Sequence, residues 1–190
     1  MKQSRTRILV ECALMIAMAT VLKYIKVFSM PLGGSVTLCA MAPLVIASLR
    51  HGVKWGMFTG VVHGLIQMIM GFDNVLYCTT IPAMVGCVLL DYLLAYTAMG
   101  TSAFFAGLVK NRSGGVALGT AVAGLLRYFC SFLSGILIWG GYAPEGMPVW
   151  WYSLTYNGSY MLPEIAITAV AVVAIMKIVD KRMPVASVQG

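Results

Sequence analysis

Three ionisable side chains stand inside long apolar runs of this chain: Asp91, Arg127 and Glu164. A charge in such a run is costly, so it faces an interior, pairs with an opposite charge, or binds something. Asp91 lies near the middle of its run and is followed by Tyr92 in "LLDY". Its carboxylate can accept from an exocyclic amine or a protonated ring nitrogen. Arg127 either neutralises Asp91 or Glu164 or reaches a ligand, and Glu164 reads first as a structural partner. From Arg127 a series continues in steps of four through Ser131, Gly135 and Trp139. Small residues at that spacing bring helices close, and a gap beneath an indole is also room for a flat molecule. The stretch "YAPEGMPVWWYSLTYNGSYMLPE" (residues 142–164) then gathers four of the 9 tyrosines, two adjacent tryptophans and Asn157. Tyr and Trp faces stack on flat rings and attract cations; Asn donates and accepts at once. For Trp150 and Tyr160 an interfacial aromatic belt is the competing reading. His63 and Gln67 share a helix face at i, i+4, and each reads as a packed, hydrogen-bonded residue. Asp91, Tyr92, Ser131, Trp139, Tyr152 and Asn157 together suit a small, flat, positively charged, nitrogen-rich ligand better than a sugar or a lipid.

Several chemistries have no residues to carry them. There is no G-x-x-x-x-G-K-[ST] loop for ATP, no H-E-x-x-H and no G-x-S-x-G. An enzyme built on Asp91, Glu164 and His63 would lack a nucleophile–base pair, so no catalysis and no cofactor are expected. The 5 cysteines form no C-x-x-C and lie mostly in apolar runs, where they read as packing residues rather than metal ligands. The chain shows no duplication into inverted halves of the kind many secondary transporters have. A small carrier without a motor of its own would borrow one.

The elements that must position these groups are membrane helices. Of 190 residues 60% are hydrophobic and only 10% charged, against about 25% charged in soluble domains. A spanning helix needs about 20 mostly apolar residues. Six stretches qualify: residues 8–27, 36–49, 53–71, 80–99, 116–139 and 153–178. The second is short and either lies with little tilt or spans only in part; residues 102–109 extend the fourth or lie at the interface. The basic start "MKQSRTR" precedes an apolar run too long for a signal peptide and without a clear cleavage site, so it reads as a retained first helix. In a six-helix arrangement Lys2, Arg5, Arg7, Arg50, Lys54, Lys110, Arg112, Lys177, Lys181 and Arg182 fall on one side, with Lys23 and Lys26 near the other. Positive charge stays cytoplasmic, so both termini are expected inside, and the net charge of +7 reflects orientation rather than nucleic-acid binding. The expectation is an all-α membrane protein, one six-helix bundle over residues 1–190, with the aromatic cluster at its outer side.

At this level of detail the chain resembles the thiamine-specific substrate-binding (S) components of energy-coupling factor transporters, the ThiT family. The resemblance spans nearly the whole chain through "MPLGGSV", "SLRHGVKWGMFTG", "LLDY", "LLRYFCSFLSG" and "YAPEGMPVWWYSLTYNGSYM". It implies a high-affinity thiamine pocket near the outer face in a prokaryotic plasma membrane. It also implies assembly with a transmembrane coupling subunit and two ABC-type ATPases. Ala13 and Ala17 in "ECALMIAMA" match the family's AxxxA motif, which docks the coupling subunit. Asp91 matches the ligand-contacting acid and Tyr92 the residue after it. Trp139 matches the stacking ring, Gly135 the close-approach position, Tyr152 and Asn157 polar contacts, and Arg127 a basic position. The family often carries His where this chain has Ser131, and Trp or Glu in the first outer region where it reads Gly34 and Leu38. That part of the pocket would then fall to the "GGS" loop around Gly34, or to Trp150 or Trp151.

Overall fold

The computed structural model describes residues 4–30 and 34–182; residues 1–3, 31–33 and 183–190 and the side chains of Lys181 and Arg182 lie outside that description, and with them the expectations for Lys2, Lys181 and Arg182. Helix α1 covers Arg5–Leu22, and an antiparallel hairpin follows, with β1 at Lys26–Ser29 and β2 at Ser35–Thr37. Helix α2 is Ala42–His51 and α3 is Val53–Met70. Helix α4 occupies residues 81–99 and changes from α-helix (Ile81–Cys87) to a π-helical stretch (Val88–Leu94) and back (Ala95–Met99). Helix α5 is Arg112–Leu137 and α6 is Val149–Arg182. Single helical turns at Asp73–Leu76, Ser102–Ala106 and Gly140–Tyr142 complete the connections.

Local signals explain most boundaries. Thr80 caps α4 by accepting from the Ala83 amide (3.4 Å), and Asn111 caps α5 by accepting from the Gly114 amide (3.1 Å). Gly52, at φ +85°, makes the tight turn between α2 and α3. The first two expected spans need correction. Helix α1 stops at Leu22 rather than Val27, and residues 36–49 are not one helix. Val36 and Thr37 pair in the hairpin, Thr37 is fastened to Glu164, and Pro43 marks the first turn of α2. Cys39 turns the chain between strand and helix with a φ of 57°. Helix α2 is thus 10 residues, about 15 Å long, and its residues from Ala42 to Leu49 are all buried. Residues 102–106 add a further helical turn after Gly100, so that Ile81–Ala106 runs on from α4 as one stretch.

Side-chain contacts fix the directions of the helices. Glu11 meets Arg50 and His51, joining the start of α1 to the end of α2. Arg112 and Asp180 join the start of α5 to the end of α6 at 2.9 Å. These pairs place most basic residues at one end. Among the described residues three helices are long and apolar enough to cross a membrane: Ile81–Ala106, Arg112–Leu137 and Val149–Asp180. The exterior agrees, since Leu137 and Val170 are 70% and 73% exposed while His63, Gln67, Asn157 and Glu164 are buried. Such an apolar outside around a polar inside is stable only in lipid.

Helix α3 packs on α4 through Gly60 and Gly64, the last two of a stripe of step four in "GMFTGVVHG" whose first member, Gly56, lies against Ser48 of α2 and Gly100. A Cβ on Gly60 would lie 2.9 Å from Thr97 Cα and closer still to the Tyr96 carbonyl; one on Gly64 would lie 2.8 Å from the Tyr92 carbonyl. The opposing atoms are backbone and cannot swing aside. Gly60→Ala is therefore expected to destabilise the fold by about 1–3 kcal/mol, read as a lower thermal midpoint in detergent. A midpoint equal to the parent's would mean that α3 and α4 separate without penalty.

Candidate ligand-binding site

At the end of the bundle opposite the basic cluster lies a cavity of about 650 Å³. It is walled by α4, α5 and α6, with the end of α1 and the hairpin contributing. Gly34, Asp91, Tyr92, Arg127, Ser131, Gly135, Trp139, Tyr152 and Asn157 all line it.

Asp91 is carried on the π-helical stretch of α4. The wider turn breaks the regular i→i−4 ladder, a device that recurs at functional sites. Asp91 Oδ2 accepts from Ser134 Oγ (2.7 Å) and from Trp139 Nε1 (3.1 Å). No other N–H or O–H among the described residues bonds this carboxylate, and the Cys87 thiol lies beside it. Trp139 stands just beyond α5, which ends at Leu137 rather than at Trp139 as expected. The indole–carboxylate bond therefore fixes the ring, and Tyr142 leans toward it with centroids 6.1 Å apart. Tyr92 does different work. Its hydroxyl donates to the Gly71 carbonyl (3.0 Å) and accepts from Asn74 Nδ2 (3.1 Å), holding the connection after α3 against α4.

Arg127 forms no ion pair with Asp91 or Glu164 among the described residues. Its guanidinium lies 4.9 Å above the Tyr96 ring. Glu164 is structural in this arrangement: its two oxygens accept from the Thr37 amide and the Thr37 hydroxyl, each at 2.6 Å, pinning β2 to α6. His63 and Gln67 are fully buried; His63 packs edge-on to Tyr96 at 4.8 Å, and Gln67 accepts from Lys23.

Helix α6 supplies an aromatic ladder. Tyr152 stacks on Tyr156 (5.7 Å, 30°), which meets Tyr160 edge-on (5.9 Å, 71°). Tyr156 accepts from the Gly34 amide at 3.3 Å, and a Cβ on Gly34 would fall 2.6 Å from the Tyr160 ring, so only glycine lets the hairpin approach. Asn157 donates to the Ser153 carbonyl (3.0 Å) and accepts from Tyr160 (2.8 Å). The space over Gly135 is filled mainly by Ser153, so this glycine serves helix packing as well as bordering the cavity.

Some lining residues carried no assignment from the sequence. The steps of four from Tyr152 to Tyr160, and from Tyr92 to Tyr96, were a readable signal. Lys23 offered none, since it looks like any cation at a helix end. Tyr160 is inside the cavity rather than in an aromatic belt. Trp150 and Trp151, at 53% and 45% exposed, do not line it. Chemically the cavity offers a carboxylate with one oxygen that no protein O–H or N–H among the described residues bonds, beside a fixed indole and stacked phenols. That set accepts from an amine and receives a flat cation.

Residues 9–184 match the family described as thiamine transporter protein (Thia_YuaJ). The chain is 37% identical over 182 residues to the thiamine transporter ThiT of Bacillus subtilis (strain 168), covering 90% of this chain and 91% of that one. It is 32% identical over 144 residues to the thiamine transporter ThiT of Lacticaseibacillus paracasei (strain ATCC 334), covering 70% and 68% respectively. Its fold is similar to that of a solved ThiT from Listeria monocytogenes, with a TM-score of 0.77 at 24% identity over 94% of this chain and 98% of that one.

Proposed function

The chain belongs to the thiamine transporter family, as a multi-pass protein of the cell membrane, and from that membership we propose that its cavity binds thiamine for uptake. Thiamine is a flat aminopyrimidine joined to a cationic thiazolium. The observation that carries the reading is the Asp91–Trp139 bond, which leaves one carboxylate oxygen facing an aromatic cavity. That oxygen accepts from the exocyclic amine, or faces the cation, while Trp139 stacks on a ring. Tyr152 adds a second aromatic surface; Ser131 and Asn157 border it with polar atoms, and Gly34 and Gly135 allow the walls to close.

The proposed protein is a binding subunit without catalysis or cofactor. The six-helix bundle lies in the membrane with its basic end and both termini in the cytoplasm, and the 10-residue α2 spans it only in part. Transport requires a transmembrane coupling subunit and two ABC-type ATPases, docked on α1. Ala13 and Ala17 are exposed there, flanked by exposed Val10, Leu14, Met18 and Val21. Small residues admit close helix approach.

Titration of the detergent-solubilised chain with thiamine, without ATP, is expected to quench tryptophan emission to saturation. Hydroxymethylpyrimidine and riboflavin serve as competitors. Folded protein whose emission and calorimetric trace stay flat on adding thiamine would refute the reading; tighter binding of hydroxymethylpyrimidine than of thiamine would reassign the ligand.

A further inference from the structure

The cavity is lined by two carboxylates, Asp91 and Glu164, and by two cations, Lys23 and Arg127. The charges balance in number but are not paired. Both Glu164 oxygens are taken by Thr37, and Asp91 bonds Ser134 and Trp139. Among the described residues neither Lys23 nor Arg127 has an ion-pair partner. Lys23 donates to the Gln67 amide oxygen, and Arg127 rests on Tyr96, both neutral groups. The buried Arg127 Nε has no hydrogen-bond acceptor, and the hydroxyl of Thr168, 1% exposed and also lining the cavity, has no partner. Unpaired cations in a half-enclosed, low-dielectric site attract an anion strongly. A cationic ligand alone would leave the cavity with an excess of positive charge.

We propose that Lys23 and Arg127 form an anion subsite within this cavity that takes a phosphate group. The phosphate is either free, entering as counter-ion to the cationic ligand, or esterified to the ligand itself. Guanidinium presents paired N–H donors to a phosphate, and ammonium adds a point charge. Only the esterified case rests on the thiamine reading.

Two measurements separate the sources. In the first, the affinity ratio of thiamine monophosphate to thiamine is taken for the parent chain, Lys23→Met, Arg127→Met and Lys23→Arg. The two Met variants are expected to lower the ratio at least tenfold, and Lys23→Arg to retain it. In the second, inorganic phosphate alone is followed by 31P line broadening on the solubilised chain, with Lys177→Met as a surface control. Broadening that Lys23→Met abolishes and Lys177→Met preserves identifies a free phosphate site, whether or not thiamine binds. A falling ratio without broadening identifies an esterified phosphate. An unchanged ratio without Lys23-dependent broadening overturns the proposal, as does an equal loss for both ligands without it, since that marks a merely structural role. Failure of thiamine to bind while phosphate still broadens would sink the thiamine reading and leave the subsite standing.

Discussion

Replacing Asp91 with Asn is expected to weaken thiamine binding by about tenfold or more. The estimate follows from the loss of a charge-assisted hydrogen bond, about 1.5–3 kcal/mol, at about 1.4 kcal/mol per decade of affinity. Two effects act in the same direction. The oxygen facing the cavity loses its charge or is replaced by a donor, which opposes an amine. The oxygen that accepts from Ser134 and Trp139 also becomes a weaker acceptor, so the indole is held less firmly. Glu164→Gln is the informative comparison. Glu164 fastens the Thr37 amide and hydroxyl, so its substitution should lower the thermal midpoint more than it lowers affinity. Calorimetric titration and thermal unfolding of both variants check this. Parental affinity in Asp91→Asn would remove Asp91 from the site, and a larger affinity loss in Glu164→Gln would exchange the two roles.

Ala13→Leu and Ala17→Leu are expected to abolish ATP-driven uptake while leaving thiamine binding intact. Both alanines are exposed on α1 and absent from the cavity lining. Each Leu adds bulk where a partner helix would need close approach, while the intramolecular side of α1, marked by buried Cys12, Ile16 and Ala19, is untouched. The two functions should therefore separate: normal titration in detergent, and no uptake in liposomes holding the coupling subunit and ATPases. Uptake at the parental rate in both variants would move the docking face elsewhere. Loss of binding instead would show that α1 supports the cavity.

The sequence by itself determined the solvent and the inventory. Its 60% hydrophobic content requires lipid, and the positions of α3 to α6 were legible because long apolar runs can satisfy their backbones in a membrane only as helices. Asp91, Arg127, Trp139 and Asn157 were conspicuous because a polar or ionisable group in such a run needs an interior, and steps of four put Arg127, Ser131 and Gly135 on one face.

Only the tertiary structure decided what each of these groups touches. The hairpin at residues 26–37 was hidden because short apolar runs read alike as strand or helix; a distant bond, Thr37 to Glu164, helps hold it as strand. The π-helical turn that carries Asp91 leaves no compositional trace, and the Trp139 bond joins residues 48 apart in sequence. Lys23 looked like an interfacial cation and Arg127 like either a neutralising partner or a ligand contact; both line the cavity, with no ion-pair partner among the described residues. Periodicity reports which face a residue occupies along its own helix. Which groups meet across helices depends on register and crossing, and these are set by close contacts such as Gly60 on Tyr96 and Gly135 on Ser153.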